Sequence, residues 1–159
     1  DATGDKDRPL YEFGQAVERV TACVEAARSL GFAFTLTARS ENFLRGNPDL
    51  DDTIKRLRAY EEAGADVLMA PGLPDLDSVR TVCAALSKPF NFMVGIKGKS
   101  FDAGSLAAAG VRRISLATSL YRAAMSGLID AAREAKEQGR FTYLDRAIAT
   151  PELNRYMQG

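Results

Sequence analysis

Histidine is missing from this chain of 159 residues, and so is tryptophan. Without an imidazole this chain cannot supply a Ser-His-Asp or Cys-His arrangement, nor a histidine-ligated zinc site. Its chemistry is confined to carboxylates, lysine, arginine, hydroxyls, amides or an oxygen-ligated cation. Cysteine is scarce as well: Cys23 and Cys83 are the only two, and each falls on the apolar side of a predicted helix. They read as reduced, buried thiols of a cytoplasmic protein, not as a disulfide or metal pair. No apolar run approaches the length of a bilayer span and no signal-peptide pattern opens the chain, so no membrane association is expected. An excess of either charge is lacking too. The 21 basic residues balance 21 acidic ones, which leaves no electrostatic footprint for nucleic acid. An initiator methionine is also absent. The polar opening stretch Asp1-Ala2-Thr3-Gly4-Asp5-Lys6-Asp7-Arg8-Pro9 reads as a loop following a strand and not as a natural beginning.

What is present is a globular composition, 46% hydrophobic and 26% charged, enough for a single domain over residues 1–159 with a sizeable core. From about Leu10 to Leu30, apolar groups at Val17, Val20, Val24, Ala27 and Leu30 follow the spacing of one buried helix face. Gly31 stops that helix, and Phe32–Ala38 reads as the first strand. After the loop Ser40–Pro48, Asp49 caps a helix with Ile54, Leu57, Tyr60 and Ala63 inward. Gly64 ends it before a second strand, Asp66–Ala70. The turn Pro71-Gly72-Leu73-Pro74 leads to Asp75, which caps a helix with Val79, Val82, Cys83 and Leu86 inward. Pro89–Val94 is the third strand, a short helix covers Ala103–Ala109, and Gly110 precedes the fourth strand, Val111–Ala117. A long helix follows from Ser119 to Gln138, then polar turns and short helical pieces. Strands and helices alternating with short connections describe consecutive βα units of a parallel sheet. No glycine-rich fingerprint follows the first strand, which argues against a dinucleotide-binding domain.

The first strand ends abruptly in Arg39, Glu41 and Asn42. Ligands of parallel α/β folds bind at the C-terminal ends of strands. A guanidinium there suits bidentate capture of a carboxylate or phosphate, and equally suits an ion pair with a neighbouring carboxylate. Both readings stand at this point. Gly98-Lys99-Ser100 resembles the end of a phosphate-binding loop, but the pattern needs glycine where Met93 stands. The loop Gly95–Ser100 reads instead as a mobile lid or linker.

Several runs then occur in an informative order: Thr37-Ala38-Arg39-Ser40-Glu41-Asn42-Phe43, Leu50-Asp51-Asp52-Thr53-Ile54-Lys55-Arg56 and Tyr60-Glu61-Glu62-Ala63-Gly64-Ala65-Asp66. Ala70-Pro71-Gly72-Leu73, Lys88-Pro89-Phe90-Asn91 and Gly110-Val111-Arg112-Arg113-Ile114-Ser115 follow. Together they resemble the isocitrate lyase/phosphoenolpyruvate mutase superfamily over essentially the whole chain. The fold this implies is α/β, a (β/α)8 TIM-type barrel, of which the chain supplies roughly strands 5 to 8 and the C-terminal helices. A full barrel needs about 250 residues, so the upstream part is expected to be absent. By the same resemblance Asp1 is the second residue of a Glu-Asp pair ending the fourth strand. A magnesium ion is implied at the barrel mouth, with its ligands upstream of Asp1 and none in this chain.

The resemblance implies a lyase-type enzyme that makes or breaks a C–C or P–C bond beside the carboxylate of a small 2-oxo or 2-hydroxy acid, through an enolate. A phosphoenolpyruvate mutase or phosphonopyruvate hydrolase-like activity, and a barrel that binds 2-oxo acids without turnover, are the alternatives. Arg39 matches the arginine that holds the substrate's carboxylate or phosphoryl group. Glu41 and Asn42 either orient Arg39 or reach the substrate. The segment Asp1–Arg8 corresponds to a gating loop, in which Lys6 is the candidate acid/base and a solvated lysine the competing reading. Two departures stand out. Pro71 occupies the place of a glutamate or histidine in relatives, and Met93 the place of an asparagine. Asn91 lies two residues earlier on the same strand face, either facing the pocket or satisfied within the core. Ser115 reads as packing. A homo-oligomer, dimer or tetramer, is expected, because Thr118–Gly159 exceeds one barrel helix and relatives exchange their last helix.

Overall fold

In the computed structural model, residues 1–158 are described, and the chain divides into two compact units, Asp1–Ala117 and Thr118–Gly159. In the first, helix α1 (Phe13–Arg28) is followed by strand β1 (Thr37–Arg39), a 3-10 turn (Asn42–Leu44) and helix α2 (Leu50–Glu62). Strand β2 (Val67–Met69), helix α3 (Leu76–Ala85), strand β3 (Phe90–Met93), helix α4 (Ala103–Ala108) and strand β4 (Arg113–Ser115) complete it. All pairings are parallel and the strands stand in chain order, β1-β2-β3-β4.

The register explains the layering. Ala38, Leu68, Phe90 and Phe92 alternate onto one face, where they pack with Leu57, Val79, Val82 and Leu106 of the helices. Each of the buried Leu, Val and Phe side chains contributes roughly 1.5–3 kcal/mol. Arg39, Met69, Asn91 and Arg113 form one register row across the sheet. Strand periodicity puts them on the other face.

Local chemistry sets the element ends. Asp49 and Asp75 cap α2 and α3 as predicted, accepting hydrogen bonds from the N–H groups of Asp52 at 2.9 Å and Ser78 at 2.7 Å. Gly110 turns the chain into β4 with φ of +99°, and a Cβ there would lie 2.9 Å from the Cβ of Cys83. Both the dihedral and the contact require glycine.

Three expectations need correction. Pairing of the first strand begins at Leu36, whose carbonyl accepts from the N–H groups of Asp66 and Val67 at 3.0 and 3.1 Å. Upstream of that point no strand among the described residues pairs with the backbone, and Phe32 and Phe34 are 66% and 46% exposed. Helix α1 stops at Arg28, which leaves Leu30 exposed. Cys23 is exposed, not buried, because it lies at the margin of the α1 stripe and borders an open cleft. Cys83 is half-buried, and burial pushes its thiol up to about 11.

The second unit holds helix α5 (Ser119–Gln138), as predicted, which ends at Gly139 with φ of +62°. A second 3-10 turn (Thr142–Arg146) and helix α6 (Thr150–Met157) follow. Within this unit Glu134 of α5 accepts from the N–H and hydroxyl of Thr142, at the start of the 3-10 turn, at 2.6 and 2.9 Å. No described helix is long and apolar enough to cross a membrane.

Candidate anion site at the end of strand β1

Strand β1 delivers Arg39 to its C-terminal end. Ser40 continues the ladder by one bond, its N–H reaching the carbonyl of Met69 at 2.9 Å. The chain then winds into the 3-10 turn, with the N–H groups of Leu44 and Arg45 donating to the carbonyl of Glu41 at 2.9 and 3.0 Å. That winding stacks Arg45 above Glu41. The Glu41 side chain is only 2% exposed, and it meets two guanidiniums: Oε1 lies 2.5 Å from Nε of Arg39 and Oε2 3.0 Å from Nε of Arg45. The Arg45 contact is an aligned hydrogen bond. The Arg39 contact is an ion pair without that alignment, since Oε1 accepts no hydrogen bond. Both arginines are nearly half exposed. The negative charge is therefore inside and the positive charges face outward.

A second polar layer lies beneath. The Asp1 carboxylate accepts from the N–H of Glu41 at 2.8 Å and from the hydroxyl of Tyr60 at 2.7 Å, with Nη1 of Arg56 at 3.4 Å. Arg56 also donates through Nε to Asp52 at 2.8 Å and through Nη1 to the carbonyl of Tyr11 at 3.0 Å. Burial works to raise the Asp52 carboxyl, but hydrogen bonds from Arg56 and Asn42 outweigh it and hold the group below its ordinary value. Burial pushes the Tyr60 phenol up.

The residues singled out from the sequence fall at different depths. Asn42 is fully buried under the turn, where its Oδ1 accepts from Ser40 and its Nδ2 donates to Asp52, each at 2.7 Å. Both amide ends are thereby committed to the protein. Asn91 shares the register row of Arg39 with Met69 between them. Its Oδ1 accepts from Ser115 at 2.9 Å, while its buried Nδ2 has no partner among the described residues. Lys6 is exposed on the loop Asp1–Tyr11, which an antiparallel bridge between Ala2 and Leu10 closes. In the loop Gly95–Ser100, Lys99 donates through Nζ to the carbonyl of Gly72 at 3.2 Å. Arg39 also borders the open cleft of about 440 Å³ that it shares with Asp1, Arg19, Cys23 and Thr37.

Two features escaped the sequence reading. Arg45 had a signal, its i,i+4 spacing from Glu41. The Asp1–Tyr60–Arg56 cluster had none, because it joins residues 55 to 59 positions apart. Among the described residues no group of three or more aspartate, glutamate or cysteine side chains converges. Asp1 and Glu41 are both already engaged by cationic or hydrogen-bonding partners.

Residues 1–136 match the family model of phosphoenolpyruvate phosphomutase, and the chain belongs to that family. Among solved structures it is similar to a provisionally assigned lyase/mutase from Burkholderia cenocepacia J2315, at 46% identity and a TM-score of 0.94, covering 100% of this chain and 57% of that one. A 2,3-dimethylmalate lyase of the PEP mutase/isocitrate lyase superfamily gives 25% identity and a TM-score of 0.76, covering 92% and 51%. An oxaloacetate decarboxylase of Chromohalobacter salexigens is 28% identical over 151 residues, 95% of this chain and 47% of that protein. The chain thus spans about half the length of the curated relatives it matches, and its parallel sheet is part of a TIM-type barrel.

Proposed function

We propose that this chain belongs to a lyase-type enzyme acting beside the carboxylate of a small 2-oxo or 2-hydroxy acid, with Arg39 as the anchor for that carboxylate. The observation that carries the reading is the geometry of Arg39. It stands at a strand's C-terminal end and is nearly half exposed, and the buried Glu41 engages it through Nε. The terminal Nη edge is left to meet an anion. Family membership and relatives named as oxaloacetate decarboxylase and 2,3-dimethylmalate lyase support the class.

In this reading Arg39 binds and orients the acid, and its fixed charge stabilises the negative charge that builds up as the bond breaks. Glu41 holds the guanidinium in place. Asn42 braces the turn through Asp52, Asn91 offers an amide donor from the same register row, and Lys6 on the loop serves as acid/base and helps exclude water. The magnesium ion implied by the resemblance would take its ligands from residues upstream of Asp1. A cytoplasmic homo-oligomer completes the proposal, with the exposed apolar face of α5, Leu120 and Leu128 included, as the contact surface.

A second reading, binding without turnover, is favoured by Pro71, which offers no proton-transferring side chain at the end of β2. Steady-state assays of the intact protein on a panel of 2-oxo and 2-hydroxy acids, with and without magnesium, separate the two. Turnover of at least one acid supports the lyase, and binding with no turnover supports the alternative.

A further inference from the structure

A cleft of about 420 Å³ opens at the N-terminal ends of β3 and β4, the opposite ends of the strands from Arg39. Arg80 and Cys83 of α3, Ser87 and Lys88 of the connection to β3, and Gly110 and Arg112 ahead of β4 line it. Three cations from three segments thus border one cleft, and no aspartate or glutamate is among the described residues lining it. Arg80 pairs with Asp77 at 2.5 Å, but both side chains are exposed, and such a pair contributes little. The Lys88 ammonium and the Arg112 guanidinium have no hydrogen-bonded or ion-paired partner among the described residues. Asp66 feels the charge of Lys88 but is committed to Arg28 at 2.6 Å. The Cys83 thiol is no counter-ion either, since burial keeps it protonated.

The backbone beneath these charges is fixed. Glu61 of α2 accepts from the N–H of Lys88 and the hydroxyl of Ser87, each at 2.6 Å, and the N–H of Arg112 joins the sheet at the carbonyl of Phe90, at 3.1 Å. Ala84, Ala108 and Ala109 add only methyl groups to the wall, which leaves room beside the charges. Cations rooted on a fixed backbone lose less freedom when an anion binds. A phosphate monoester offers three peripheral oxygens to three donors, where a carboxylate offers two.

We propose that this cleft is an anion site of its own, taking a phosphate dianion, either free or as the monoester of a small molecule. Barrel chemistry is carried at the C-terminal ends of the strands, so a ligand here is not the acid held by Arg39. The site stands on its own observations, whether or not the proposed function does.

The test is calorimetric titration of the intact protein with inorganic phosphate and with glycerol 3-phosphate, at fixed ionic strength and about pH 8, where both are dianions. At least one should bind. Lys88→Gln and Arg112→Gln should each weaken that binding about tenfold or more with the melting temperature unchanged, and Arg39→Lys should leave it unaltered. Tighter binding of the ester marks a phosphorylated small molecule as the occupant, and phosphate binding at least as tightly marks the free ion. No binding of either probe at millimolar concentration would overturn the proposal. So would binding that survives both Lys88→Gln and Arg112→Gln, whether or not Arg39→Lys abolishes it.

Discussion

Nε of Arg39 lies 2.5 Å from Oε1 of Glu41, a side chain only 2% exposed. The contact joins the two readings that the sequence left open, an ion pair at the barrel rim and an anion-binding fork. Glu41 engages one edge of the guanidinium and the other edge stays free, so a structural ion pair positions a binding group. Replacing Glu41 by alanine should leave Arg39 and Arg45 repelling each other. We expect a stability loss of about 1–3 kcal/mol in chemical denaturation, with weaker substrate capture in the same variant.

Tyr60 supports the site from below. Tyr60→Phe removes the hydroxyl that donates to the Asp1 carboxylate at 2.7 Å and leaves the ring in the core. A hydrogen bond to a charged acceptor contributes about 1.5–3 kcal/mol. Urea denaturation should show a loss of that order with an unchanged m-value.

Four carboxylates, Asp52, Asp66, Asp75 and Asp102, are held below their ordinary value and contribute to acid stability. Hydrogen bonding by Arg28, with help from the Leu36 N–H, holds Asp66 below 3.8. Asp52 is lowered as well, its bonds from Arg56 and Asn42 outweighing the burial that would raise it. A depressed folded-state value means that the unfolded chain binds the proton first. The stabilisation is then complete above the ordinary value of 3.8 and is lost as pH falls through the folded values. Melting temperature should fall below about pH 4, and Asp66→Asn should flatten that dependence.

Gly110→Ala tests the close approach of α3 to the start of β4. The substitution forces a positive φ on alanine and brings its Cβ to 2.9 Å from the Cβ of Cys83. A loss of about 1–3 kcal/mol is expected. Cys83→Ala should not rescue it, because the clash is with a Cβ that alanine retains.

The helical skeleton was legible because its signals are local. Asp49 and Asp75 are capping residues within the chain they cap, and Gly64 and Gly110 mark where helices give way to strands. Strand extent was less legible, since Phe32 and Phe34 look like strand residues until one asks what their backbone pairs with. Cys23 misled because a residue at the edge of an apolar stripe is buried only if a neighbour covers it. At the site, Arg39 was visible from its place at a strand end, and Glu41 two residues on marks the neighbouring carboxylate it pairs with. The Tyr60–Asp1 contact spans 59 positions and exists only once the fold has closed.

For assembly, the exposed Leu120 and Leu128 on α5, 67% and 60% accessible, predict an oligomer in light scattering of the intact protein. Leu128→Glu should shift it toward the monomer. A monomer before substitution would contradict this part of the account.

The central claim is that Arg39 captures the substrate's anionic group, and the most direct measurement compares kcat/KM for Arg39→Lys and Glu41→Gln in the intact protein. Lysine keeps the charge but loses the planar fork. The account predicts that Arg39→Lys lowers kcat/KM by about tenfold to a hundredfold with little change in melting temperature. Glu41→Gln should lower both quantities, since it loosens the same fork. An unchanged kcat/KM in Arg39→Lys, with Glu41→Gln affecting thermal stability alone, would reduce Arg39 to a structural ion pair and contradict the account.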